Sequence, residues 1–67
     1  MYWNIIAEMA RNNMTREDLA KKMGISIATL RKKIKGKSDF KNSEIEILLS
    51  VFGNGVTFEY LFEVKPA

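Results

Sequence analysis

The sequence predicts a compact all-α fold of four to five short helices, and three features predict it. Apolar residues return at three- and four-residue spacing in one stretch after another. Thr15, Ser26, Ser43 and Thr57 stand where helices start, and Gly24 and Gly53 stand where they stop. At 67 residues the chain makes one domain, residues 1–67, of a size that buries only about 60% of its unfolded surface. With 46% hydrophobic residues it is too apolar to be disordered by composition.

The first helix is expected over Tyr2 to Asn12, where Tyr2, Ile5, Ile6 and Met9 repeat at i, i+3, i+4 and i+7. Trp3 lies beside them, and an aromatic at that spacing reads as core more readily than as a recognition residue. Asn12 and Asn13 mark a break. The next 22 residues, TREDLAKKMGISIATLRKKIKG from Thr15 to Gly36, read as two helices joined by a tight turn. Thr15 and Asp18 have capping-box spacing, and Met14 takes the staple position. Leu19 and Met23 share one face of the second helix. Gly24 then supplies the left-handed backbone that a sharp turn requires.

Ser26 caps the third helix. Ile27, Leu30 and Ile34 form its core face, and Arg31, Lys32, Lys33 and Lys35 are expected to cover its free surface. Ile27 falls on the core face and near the exposed start of the helix, so both a core role and a contact role are open. The loop GKSDFKN, residues 36–42, has no periodicity, and Phe40 is its only apolar tether. Ser43 and Glu46 are spaced as a second capping box, opening a helix that runs to Phe52 and ends at Gly53. Ile45, Leu48, Leu49 and Phe52 make one apolar stripe there, and Ile47 and Val51 a second, which a central or shared helix would need. Asn54-Gly55 is a turn signal. From Val56 to Val64 the apolar residues alternate as in a strand, yet Thr57 is a good N-cap and Phe58, Leu61 and Phe62 fit a helix. A helix over Thr57 to Phe62 is the expectation, with Lys65, Pro66 and Ala67 as a frayed tail.

The net charge of +3 conceals a polarity. Residues 1–41 hold ten Lys and Arg against four acids, whereas residues 42–67 hold one Lys against four Glu. Five of the seven residues from Arg31 to Lys37 are basic. A basic half is the electrostatic footprint of a nucleic-acid binder; a merely solvated helix face is the plainer alternative. An acidic lipid surface fits less well, because it needs a free apolar face opposite the charges. No apolar run is long enough to span a membrane, and residues 1–10 have no basic leader, so a soluble intracellular protein is expected.

Catalysis is poorly served. The chain has no histidine and no cysteine, which removes the commonest general base, the strongest nucleophile and most transition-metal ligand sets. Glu44 and Glu46 are two apart on a helix and do not face each other. Glu17 and Asp18 sit in a helix first turn, where the macrodipole accounts for them. No glycine-rich phosphate loop is present, and neither a cofactor nor a metal is expected.

The helix–turn–helix, with small Ala20 at a close crossing and Gly24 at the turn, resembles the DNA-binding unit of the phage Cro/CI repressor family, also called XRE-like. TREDLAKKMGIS, TLRKKIKGKSDF and SEIEILLSVFG follow that family's order of helix 2, recognition helix, connecting loop and helix 4, over roughly residues 3–62. The resemblance implies a lambda-repressor-like DNA-binding domain with its helix–turn–helix at residues 15–36. It also implies a cytoplasmic bacterial or phage regulator that binds double-stranded operator DNA as a two-fold dimer. On the family's geometry Ser26, Ile27, Ala28, Arg31 and Lys32 would face the bases, and Arg16, Lys35, Lys37 and Lys41 would hold the backbone.

The chain departs from the family's pattern in two respects. Many members carry polar side chains such as Gln or Arg where Ile27 and Ala28 stand, and the core position they fill near Lys33 is met here by Ile34. Ile47, Val51, Tyr60 and Val64, in the acidic and apolar C-terminal third, are the candidate contacts of a weak homodimer. A rival reading keeps the fold but makes it an interaction module, a modulator or antirepressor that grips another phage or bacterial regulator.

Overall fold

A computed structural model describes residues 1–53 and 55–64. Five helices follow in order: α1 Trp3–Arg11, α2 Arg16–Met23, α3 Ile27–Ile34, α4 Asn42–Phe52 and α5 Phe58–Leu61. The all-α class is as expected, and residues 58–61 are helical rather than extended. Thr57 caps α5 by accepting the Tyr60 N–H at 3.1 Å. Within the expected turn at 54–55, Asn54 lies outside the described residues, as does the tail 65–67.

Local chemistry sets the helix ends. At the start of α2, the Thr15 N–H donates to the Asp18 carboxylate at 3.0 Å, and the Asp18 N–H donates to the Thr15 hydroxyl oxygen at 3.1 Å. The Thr15 backbone bond and its hydroxyl hold the Asp18 carboxyl below its ordinary range. At the other end Gly24 adopts φ 70°, and the Ile25 N–H reaches back to the Ala20 carbonyl at 3.1 Å. The chain thus reverses within two residues and Ser26 opens α3 at once, its Oγ accepting the Thr29 N–H at 3.1 Å. A Cβ at Gly24 would meet no atom within 4 Å, so only backbone conformation forbids a side chain there. Gly24→Ala is therefore expected to cost about 1 kcal/mol, which thermal unfolding should register as a fall in Tm of about 4–8 °C.

Ile5, Leu19, Leu30, Leu48 and Leu61, one from each helix, are wholly buried and meet at the centre, joined by Met9, Ala20, Met23, Ile34 and Phe52. Helix α2 packs on α3 and α4, and α1 packs on α5. Phe40 does tether its loop: its ring lies 5.3 Å from Phe62 and 6.2 Å from Tyr2. Met14 is half-buried against the same core.

Three expectations are corrected. Trp3 is 55% exposed rather than core, because the buried stripe of α1 runs through Asn4, Ile5, Glu8 and Met9 and turns Trp3 outward. Two members of that stripe are polar, and α5 satisfies them: Asn4 Nδ2 donates to the Tyr60 carbonyl at 2.7 Å and the Tyr60 hydroxyl donates to Glu8 at 2.9 Å. That bond to Glu8, with burial, raises the Tyr60 pKa above its ordinary value. Second, α4 starts at Asn42 rather than after a Ser43 cap. Glu44, not Glu46, turns back to accept the Lys41 N–H at 2.8 Å. Third, Lys33 is not part of a cationic surface. It is buried, and its ammonium binds Glu44 at 2.5 Å.

Candidate nucleic-acid interface

Helical spacing sorts the side chains of α3 onto two sides. Leu30, Lys33 and Ile34 face inward, and Ile27 is half-buried against the core. Ala28, Arg31 and Lys32 are exposed, and Lys35, the next residue of the series i, i+3, i+4, i+7, continues the stripe one turn on. The free face therefore carries one small apolar residue followed by three cations.

Neighbouring elements add charge to that face. Arg16, the first residue of α2, joins Arg31 and Lys35 around a shallow hollow of about 250 Å³, which Met1 and Ile34 also line. Arg16 thus joins two cations one turn apart, Arg31 and Lys35, beside α3 with no acid among the lining residues. Lys37 is held close to the end of α3 because its N–H donates to the Lys32 carbonyl at 2.9 Å. Lys41 is exposed at the first residue before α4. Ser26 is exposed but engaged, accepting from the Thr29 N–H and donating its hydroxyl to Thr29 Oγ1 at 2.9 Å.

Of the nine residues expected on this surface, eight are exposed and Ile27 is half-buried. The four interface candidates are less uniform. Val64 is 61% exposed; Ile47 and Val51 are half-buried against the core; Tyr60 is half-buried with its hydroxyl bound to Glu8.

Two residues lie directly beneath this face: Lys33, which the sequence places on the exposed cationic surface, and Glu44, to which it gives no part there. Lys33 and Glu44 are 6% and 4% exposed. Burial pushes the Glu44 carboxyl up, but hydrogen bonds from Lys33 and the Lys41 N–H, with the charges of both lysines, outweigh it and hold the group below its ordinary range. A signal for Lys33 existed, since it falls three residues after Leu30 and one before Ile34, inside the apolar face. Nothing local marked Glu44 as its partner.

Two short helices about a left-handed glycine, the second presenting cations on its free side, are the framework of a helix–turn–helix domain. The family model described as helix-turn-helix matches residues 5–61, and the chain belongs to that XRE-type family of DNA-binding regulators. No curated protein and no solved structure matches the chain. Among the described residues no helix is long and apolar enough to cross a membrane.

Proposed function

We propose that this chain, acting as a single domain, is a sequence-specific transcriptional regulator of the Cro/CI kind, a repressor that seats α3 in the major groove of operator DNA. The observation that carries this reading is the convergence of Arg16, Arg31 and Lys35 beside the exposed stripe of α3. A helix of this kind enters the groove with its first turns toward the base edges. Arg31 or Lys32 then takes guanine O6 and N7, and Ala28, with the exposed part of Ile27, covers a thymine methyl. Arg16, Lys35, Lys37 and Lys41 hold phosphates. In a two-fold dimer the two α3 helices would stand about 34–36 Å apart on a pseudo-palindromic site. Ile47, Val51, Tyr60 and Val64 are the contacts we assign to that dimer, a weak one, since stable interfaces bury upward of about 1,000 Å².

Fluorescence anisotropy against random-sequence DNA and the gene's own upstream DNA tests the reading. Neutralising at least four phosphates makes log affinity fall linearly with log salt, with a slope of about −3.6 or steeper. The upstream DNA should bind more tightly than random sequence. The small, apolar start of α3 at Ile27 and Ala28 favours one rival, a module that binds another bacterial or phage regulator. Absent or sequence-indifferent binding would overturn the repressor reading in its favour.

A further inference from the structure

Among the cations of α3, Lys33 alone is withdrawn from solvent. Its ammonium meets Glu44 Oε1 and lies 6.0 Å from the centre of the Phe40 ring. The same carboxylate oxygen accepts the Lys41 N–H, the last backbone donor of the loop before α4. One carboxylate therefore ties three things together: the inner face of α3, the end of the loop after it, and the first turn of α4. The other end of that loop is fixed to α3 by the bonds from Gly36 N–H to Lys33 and from Lys37 N–H to Lys32, at 3.1 and 2.9 Å. Lys37 and Lys41, both exposed, thus stand at the two tied ends of a short span whose Ser38 and Asp39 are also exposed.

A buried ion pair is a poor source of stability, because desolvating both groups offsets most of their attraction, and an apolar pair of similar volume often does as well. What the pair does supply is direction. A charged, hydrogen-bonded contact has one geometry, whereas two apolar side chains can slide. Here that geometry ties the Lys41 end of the loop to the inner face of α3, beneath Arg31 and Lys32.

We propose that Lys33 and Glu44 are positioning residues of the DNA-binding surface: buried beneath it, they hold Lys41 at a phosphate-contacting position beside α3. The proposal rests on the DNA-binding reading above. It makes affinity depend on two groups that never touch DNA.

The test compares the unaltered chain with Lys33→Met/Glu44→Gln. That double substitution removes both charges and leaves net charge unchanged. It also keeps an acceptor for the Lys41 N–H, so the helix start survives. Anisotropy across a salt series is read on both proteins, and again on each with Lys41→Ala added. The expected result is a double variant that is folded by circular dichroism, binds about tenfold more weakly, and has a salt slope shallower by about 1. Lys41→Ala should weaken the unaltered chain several-fold and the double variant hardly at all, which a purely structural role for the pair would not produce.

Equal affinity and slope in the two folded proteins, or an equal loss from Lys41→Ala in both, would overturn the positioning role alone. Absence of salt-dependent binding by the unaltered chain would overturn the DNA-binding reading with it. Should the double variant not fold, Lys33→Arg, which keeps the buried charge but alters the pair's geometry, is compared with Lys22→Arg, an exposed change of the same kind. Indistinguishable slopes there would equally overturn the proposal, and a shallower slope for Lys33→Arg would support it.

Discussion

Replacing Arg31 and Lys32 by alanine is expected to abolish specific DNA binding while leaving the fold intact. Both side chains are exposed on the free stripe of α3, and neither forms an ion pair among the described residues. Exposed substitutions away from caps and core usually change stability by no more than about 0.5 kcal/mol, so thermal unfolding should hardly move. Binding is another matter. A bidentate contact to a base is worth about 1–3 kcal/mol, or roughly five- to 150-fold for each residue. The two neighbours share one stripe and couple, so their joint effect need not equal the product of the single ones.

The single variants separate two kinds of contact. A residue that reads a base relaxes discrimination at one position when it is lost. A residue that holds phosphate weakens all sequences alike and lowers the salt slope by about 1. Anisotropy with the preferred site and with single-base variants of it distinguishes these. Full binding by either Arg31→Ala or Lys32→Ala would remove that residue from the assigned site.

The contrast between Arg31 and Lys33 shows what a sequence of this size discloses. The caps of α2, α3 and α5 and the turn at Gly24 were legible because their chemistry is local: Thr15 with Asp18, Gly24, Ser26 and Thr57 each act within three or four residues of themselves. The exposed stripe of α3 was legible for the same reason, since spacing alone separates Ala28, Arg31, Lys32 and Lys35 from Leu30 and Ile34. What stayed hidden depended on partners far along the chain. Lys33 is drawn inward by a carboxylate 11 residues away, and the same carboxylate caps the start of α4 by accepting the Lys41 N–H. Asn4 and Glu8 take buried positions on α1 because Tyr60, 56 and 52 residues later, satisfies them. With polar residues filling that stripe, Trp3 is displaced to the surface, an outcome that apolar periodicity has no means to anticipate. The site shows the same division: its cations were identifiable singly, while the meeting of Arg16 with Arg31 and Lys35 required the fold.

The buried pair carries the largest stability effect we expect, and its pH dependence changes sign with one substitution. In the unaltered chain Glu44 has a lowered pKa, so the folded state binds its proton less readily than the unfolded state does. Its stabilising contribution is present above the ordinary carboxyl value of 4.5 and is lost as pH falls through the lower folded value. Lys33→Met removes the ammonium and leaves the carboxylate 4% exposed with the Lys41 N–H as its remaining protein donor. Stranding one charge of a buried pair costs about 3–5 kcal/mol. A 67-residue domain at about 0.05–0.15 kcal/mol per residue has about 3–10 kcal/mol in all, so much of the variant should be unfolded at neutral pH. With its cationic partner gone, burial, the largest single influence on Glu44, is expected to outweigh the remaining bond and charge of Lys41 and to carry the folded-state pKa above the unfolded one. Protonation then favours the folded state. Urea midpoints followed by circular dichroism should therefore rise for Lys33→Met as pH is lowered from 7 toward 5, with no matching gain from Glu44 in the unaltered chain. Lys33→Met/Glu44→Gln, lacking the titrating group, should lose that rise; a rise of the same size in both variants would mean that some other group is responsible.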